Sequence, residues 1–368
     1  MTTIPIDKDN KIEWFAKKPE AFLDKSVFII GKTGSGKTQI LLEMMYLCKD
    51  MVPNVLVICP DSTTKFYKGI VPDSCIINAD NVTKEKFVQI WERQKEVTEI
   101  YNAVNDIDNL VRISKKFLDK SLEGNIMSLD FLERVKIDEI KKDTTYREDD
   151  KQNMYNEIRE ITKRTKRDAY KKSIYKHKSS IYPTLEDGDR IIVDHLFINP
   201  RMMIVMDDCS EYIKGWNAFF KKDPHNIFES IAFRGRHYYI TFLQVAHDDT
   251  LIDPKKRKNA QITIYTSGAH LLAAVDRGGY DKSTKKLAAK VAGKVFDDEN
   301  REKQSHKKVV FLSDQSNPFQ YTVANVYGKF TVSNSALDWL DKKINEYKKK
   351  KLMDKNKELY QKLYRIKK

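Results

Sequence analysis

The apolar run SVFII stands at residues 26–30. A short continuous apolar run bounded by polar residues predicts a strand buried on both faces. Residues 38–49, TQILLEMMYLCK, predict the helix that follows it. VLVIC at 55–59 is a second such strand, stopped by Pro60-Asp61-Ser62, and CIINA at 75–79 is a short third. Strands that alternate with helices, each strand a continuous apolar run, predict an α/β fold: a mainly parallel sheet flanked by helices.

From about residue 82 to 180 the pattern changes to charged sequence without strand-like runs. Ile90, Val97, Val104, Val111 and Leu118 recur every seven residues, with Ile100 and Ile107 beside them, as on a helix with one apolar stripe. A second helix is expected from Asp130, carrying Phe131, Val135, Met154, Ile158 and Ile161, with its stripe broken near DTTYREDD. This reads as a charged helical insertion. Its stripe could pair two copies of the chain, but packing on its own domain is the commoner use of such a stripe. Strand character returns in IIVDHLF (191–197) and RMMIVMDD (201–208). A loop or helix at 209–229 follows, then strands at YYITFLQ (238–244), ITIYT (262–266), VVFL (309–312) and YTVANVY (321–327). The expected division is 1–81 and 181–335 for the two parts of the core, 82–180 for the insertion and 336–368 for a basic helical tail.

Between the first strand and its helix stands GKTGSGKT, residues Gly31, Lys32, Thr33, Gly34, Ser35, Gly36, Lys37 and Thr38. This is the pattern G-x-x-x-x-G-K-[ST] in a strand-to-helix setting. The glycines let the backbone turn tightly, so that successive N–H groups aim at one small volume. The helix N-terminus adds further free N–H groups and its positive dipole end. The expected ligand is ATP with Mg²⁺: Lys37 reaches the β- and γ-phosphates and Thr38 places its hydroxyl on the metal. A metal holder is expected at the end of the apolar run MMIVM, where Asp207 would hold Mg²⁺ and Asp208 would deprotonate the attacking water. Gln244, closing the run YYITFLQ, is a candidate sensor of the γ-phosphate. Arg234 and Arg236 flank a glycine in FRGRHYY, on an expected exposed turn from which an arginine could reach a neighbouring subunit's nucleotide.

Composition adds a partner. Lys and Arg number 67 against 53 Asp and Glu, a net charge of +14, which favours an anionic partner such as nucleic acid or an acidic membrane surface. Basic clusters at 163–178, 254–258 and 346–368 would neutralise phosphates without reading bases. The four cysteines form no C-x-x-C pair and the seven histidines have no zinc-like spacing, so buried thiols in a reducing compartment are expected. No run approaches the roughly 18 apolar residues of a membrane span, and the N-terminus lacks a signal-peptide pattern. A soluble, intracellular chain is expected.

The set GKTGSGKT, IVMDD and RGRHYYITFLQ resembles the genome-packaging ATPases of large DNA viruses, the poxvirus-type branch of the FtsK–HerA superfamily. The likeness covers residues 26–60 and 200–270 best. It implies a P-loop NTPase with a RecA-like (ASCE) core, in which the sensor strand lies between the cradle strand and the metal-holding strand. It also implies a homo-oligomeric ring that hydrolyses ATP to pump double-stranded DNA into a capsid. A capsid or vertex protein would be a partner, and the host cytoplasm or viral factory the setting. By position, Lys37 and Thr38 bind phosphate and metal, and Asp207 and Asp208 are metal holder and base. Gln244 is the sensor and Arg236 is favoured as the trans arginine finger. Arg234 stands where the resemblance leads one to expect an uncharged polar residue, and the helical segment is longer than a compact member needs. Asp297, Asp298 and Asp314 form no metal cluster in sequence, so no nuclease is expected. The competing expectations are a P-loop kinase acting on a small substrate and a nucleotide-gated DNA-binding scaffold.

Overall fold

The structure, a computed structural model, describes residues 3–7, 10–220, 227–252, 260–296, 307–313, 315 and 318–332. The basic runs at 254–258 and 346–368, the expected tail from 336, and Asp297, Asp298 and Asp314 lie outside those residues. The chain forms two compact units. One takes in the residues through Lys95 and those from Pro200 onward; the other is built on Glu96–Asn199.

The first unit contains β1 (Thr3–Pro5), β2 (Lys11–Trp14), β3 (Ser26–Ile30), β4 (Asn54–Cys59), β5 (Ile76–Asn78), β6 (Met202–Met206), β7 (Ile240–Ala246), β8 (Ile262–Tyr265), β9 (Lys307–Leu312) and β10 (Phe319–Val323). They lie side by side in the order β1-β2-β10-β9-β8-β3-β7-β6-β4-β5. From β8 to β5 every pairing is parallel. β9 and β10 extend the sheet antiparallel, so the whole is mixed. The sheet is flanked by helices, and β7 lies between β3 and β6, the order that the resemblance implies. The fold is therefore the α/β class expected.

Alternation along the strands explains why apolar runs were needed. Val27, Ile29, Val57, Val205, Leu243 and Val245 pack on one face against Ile40, Leu41, Met44 and Met45 of the helix Lys37–Cys48. Phe28, Ile30, Ile58, Ile204, Met206 and Phe242 fill the other face, with Trp216, Phe228 and Leu271. A strand covered on both sides can keep no polar alternation. All four cysteines are buried and unpaired, as expected. Among the described residues, no helix is long and apolar enough to cross a membrane.

The second unit is helical. The seven-residue stripe does not run as one helix: Lys84–Asn105 stops at Asp106, whose carboxylate caps the next helix, Ile107–Ser114. Val104, Leu110 and Ile113 are buried with Ile174 and Ile181 of the long helix Glu148–Ile181, within this unit, whereas Leu118 is exposed. The expected second helix is split at the DTTYREDD break into Lys120–Lys142 and Glu148–Ile181. IIVDHLF is not a strand. Residues Asp187–Asp194 form a helix that buries Ile192 and Val193. Its first-turn acids Asp187 and Asp189 favour a helix N-terminus, and Asp189 is held by Arg112 and Lys116 of the same unit. A short apolar run does not distinguish a buried helix from a strand, and the acids ahead of it were the deciding signal.

Candidate nucleotide-binding site

The cradle lies at the C-terminal ends of the parallel strands, where open α/β sheets bind ligands. β3 ends at Ile30 and the chain turns through Gly31–Gly36 into the helix Lys37–Cys48. Gly31 admits no side chain, since a Cβ there would stand 1.6 Å from Thr266 Oγ1. Gly36 occupies the N-cap position with φ +79°, a left-handed backbone that glycine adopts freely. No side chain caps this helix and no acid sits in its first turn, so its leading N–H groups are available to an anion. The loop is braced from within. Ser35 Oγ and Lys37 Nζ both donate to the Lys32 carbonyl, at 2.7 and 2.8 Å. Thr266 Oγ1 donates to Ser35 Oγ at 2.6 Å, and Lys308 Nζ, from β9, donates to the Ser35 carbonyl at 3.0 Å.

The two acids follow β6, two strands from the cradle. Asp207 is buried, and its Oδ2 accepts from Thr38 Oγ1 at 3.2 Å and from Tyr67 OH at 2.6 Å. Burial pushes the Asp207 carboxyl above the usual carboxylate range, while those two hydrogen bonds and Lys37 oppose the shift. Lys37 is pulled below its ordinary value, first by burial, with Asp207 and Asp208 acting the other way. The cradle lysine and the two acids thus already sense one another's charge. Asp208 sits in a left-handed turn, φ +57°, a conformation Asp tolerates better than most residues. That turn sends its carboxylate to His247 Nε2.

His247 is the residue that the sequence pattern missed. β7 continues two residues past Gln244 to Ala246, so His247, not Gln244, is the first residue beyond the strand. Its Nδ1 lies 3.4 Å from Lys37 Nζ and 3.5 Å from Thr33 Oγ1. With Lys37 donating to Nδ1, the imidazole carries its proton on Nε2 and donates it to Asp208. Placing the strand end at Ala246 would have found it. Tyr67 gave no such signal, because its hydroxyl reaches Asp207 only through the turn after β4.

The remaining expected residues lie elsewhere. Gln244 is 1% exposed and opposite Phe28 of β3 and Met206 of β6, within the sheet. Its Oε1 has no hydrogen-bond partner among the described residues, an unsatisfied group that costs about 1–3 kcal/mol. Arg234 and Arg236 are exposed, as expected, but they precede β7. With about 3.3 Å per residue, the strand sets them about 20 Å from the cradle end of the sheet. Lys32 and Thr33 are exposed at the loop tip.

The donor set fits magnesium. Thr38 and Asp207 offer two hard oxygen ligands that converge on one point. Among the described residues no group of three or more His, Cys, Asp or Glu side chains could hold a metal by itself.

No family model matches the chain. Curated relatives include "Uncharacterized protein B354L" from two African swine fever virus isolates, Warthog/Namibia and Tick/Malawi. Each is 23% identical over 358 residues, 92% of this chain and 92% of the relative. Among solved structures, the chain is similar to EssC (ATPases 2 and 3) from Geobacillus thermodenitrificans, with a TM-score of 0.37 and 11% identity. That likeness spans 92% of this chain and 46% of the EssC chain.

Proposed function

We propose that this chain is an Mg²⁺-dependent ATPase that translocates double-stranded DNA, and that its task is packaging a viral genome. One observation carries the hydrolytic part. Lys37 and Thr38 at the start of the helix after β3, Asp207 and Asp208 after β6 and His247 after β7 gather at one end of the sheet, with Thr38 donating to Asp207 and His247 standing between Lys37 and Asp208. Gly31–Thr38 binds the phosphates through backbone N–H groups, and Lys37 neutralises the β- and γ-phosphate charge. Thr38 and Asp207 would hold the magnesium, which would supply positive charge against the negative charge developing on the phosphate oxygens. Asp208 accepts the proton of the attacking water, and His247 fixes the orientation of that carboxylate.

The DNA part rests on charge and on the viral relatives. Lys163, Arg164, Lys172 and Lys176 are exposed on the helix Glu148–Ile181, although Lys166, Lys171 and Lys178 of the same cluster are tied to Asp130, Asn105 and Asp194. The exposed cations suit sequence-independent phosphate contact. A ring of copies is the reading that gives Arg234 and Arg236 a role: they are exposed at the end of β7 away from their own cradle, and in a ring they would serve a neighbour's nucleotide. A capsid or vertex protein would receive the DNA, in the host cytoplasm or viral factory.

ATP hydrolysis measured with and without duplex DNA tests this reading. Turnover should rise with duplex DNA, and Asp208→Asn should lose turnover while still binding ATP. Phosphoryl transfer to a small acceptor with no response to DNA would replace the motor by a kinase. Asp208→Asn with intact turnover would remove Asp208 from the chemistry.

A further inference from the structure

Beside the cradle helix the first unit carries an open groove of about 640 Å³. Its walls come from three places. Gln39 and Leu42 project from the first two turns of the helix Lys37–Cys48. Ile70 comes from the turn after β4, and Tyr327, Gly328 and Phe330 come from the segment after β10. We propose that this groove receives the aromatic base of the nucleoside triphosphate. The proposal rests on reading Gly31–Thr38 as the phosphate cradle.

Three features argue for a base. The first is position. Gln39 directly follows the cradle residue Thr38, and Leu42 lies four residues, about 6 Å, further along the helix axis. A nucleotide held by its phosphates at the helix N-terminus would lay its sugar and base along these turns. The second is chemistry. Leu42, Ile70, Tyr327 and Phe330 supply an apolar and aromatic lining. The third is rigidity. Tyr327 stacks on Tyr46 of the same helix, with ring centroids 4.0 Å apart. Glu43, fully buried, accepts from Asn325 N at 3.2 Å, Asn325 Nδ2 at 3.0 Å and Tyr327 OH at 3.3 Å. Lys17 closes the cluster by donating to Glu43 and to the Val323 carbonyl. A buried carboxylate with that many donors fixes the segment after β10 against the helix, so the wall is formed before any ligand arrives.

Lys68, Gly69 and Ile70 of the groove lining follow Tyr67, whose hydroxyl holds Asp207. An occupied groove would therefore contact the turn that positions the metal-holding acid.

The test compares two ligands in the full chain with Mg²⁺: ATP, which has a base, and inorganic tripolyphosphate, which has none. Calorimetric titration should show wild-type protein binding ATP at least about tenfold more tightly than tripolyphosphate. Leu42→Trp, which fills the groove, should weaken ATP about tenfold and leave tripolyphosphate within about twofold. Gly328→Trp provides a second variant, since a Cβ at Gly328 would meet nothing within 4 Å. The same selective loss is expected there. Equal wild-type affinity for both ligands would overturn the proposal. So would either folded variant binding ATP as wild type does, or losing both ligands alike. Wild-type protein that binds neither ligand would overturn the cradle reading itself, a result distinct from any of these.

Discussion

The two ends of the parallel sheet are built on different principles. At the C-terminal end, Lys37, His247 and Asp208 form one hydrogen-bonded chain and Thr38, Asp207 and Tyr67 another, with Lys37 and Asp207 buried. At the N-terminal end, Arg234 and Arg236 are exposed. The first arrangement is pre-organised: burial shifts Lys37 and Asp207 toward their neutral forms, and each is countered by charges and hydrogen bonds already in place. The second arrangement is poised for something outside the chain. One end that holds its groups in advance and an opposite end that exposes its cations are what the proposed site shared between copies would require.

The sharpest way to break that comparison is to disable one end at a time. Lys37→Ala and Arg236→Ala should each reduce ATP turnover by about 10³-fold, the lower end of what an arginine finger contributes. Lys37→Ala should also weaken ATP binding, whereas Arg236→Ala should not. Mixed in varying ratio, the two inactive proteins should recover activity, because one boundary then pairs an intact cradle with an intact arginine. If no ratio restores turnover, the two ends do not meet across a boundary. Repeating the mixture with Arg234→Ala decides which arginine crosses it.

A smaller effect separates His247 from the acids that it contacts. His247→Ala should lower kcat about 10- to 100-fold and change the ATP dissociation constant by less than about threefold, because the imidazole orients Asp208 and Lys37 while the loop backbone carries most of the phosphate contacts. A large loss of affinity with kcat unchanged would instead make His247 a ground-state ligand of the phosphates.

What the chain pattern disclosed follows the same division. The cradle was legible because its chemistry is contiguous, eight residues in a strand-to-helix setting. Asp207 and Asp208 were legible because an apolar strand delivers them. The sheet order was legible only through the resemblance, since apolar runs do not say which strands are neighbours. Tyr67, Lys308 and Thr266 were not legible. Each reaches the site through a turn or a strand distant in sequence, and their residue types are ordinary where they stand. His247 was missed by two residues of strand length. IIVDHLF was misread because a buried helix face and a buried strand share the same short apolar run.

Tyr67 carries the next prediction. Its hydroxyl supports the ionised form of a buried carboxylate, so Tyr67→Phe should raise the Asp207 pKa further. Turnover should then need about tenfold more Mg²⁺, as expected for loss of a hydrogen bond behind a metal ligand, and its acid limb should move to higher pH. A Mg²⁺ dependence unchanged from wild type would mean that Asp207 does not hold the ion.

The smallest expected effect concerns Lys308, which braces the cradle from β9, outside the parallel strands. Burial lowers its pKa to about 8, from about 10.5 for a freely solvated lysine. Between those values the unfolded chain binds more protons than the folded chain, so folding stability contributed by this lysine rises with pH across that window. Below about pH 8 the folded protein bears the full cost of a buried ammonium. Lys308→Met removes that cost together with the hydrogen bond to the Ser35 carbonyl. The melting temperature of wild type relative to Lys308→Met should therefore increase by a few degrees between pH 7.5 and pH 9.5. ATP affinity of the variant should fall about two- to fivefold at the lower pH, where the ammonium donates most strongly to the loop. A difference in melting temperature that is flat or falls with pH would mean that Lys308 keeps its proton on folding, and that the cradle rests on a fixed charge.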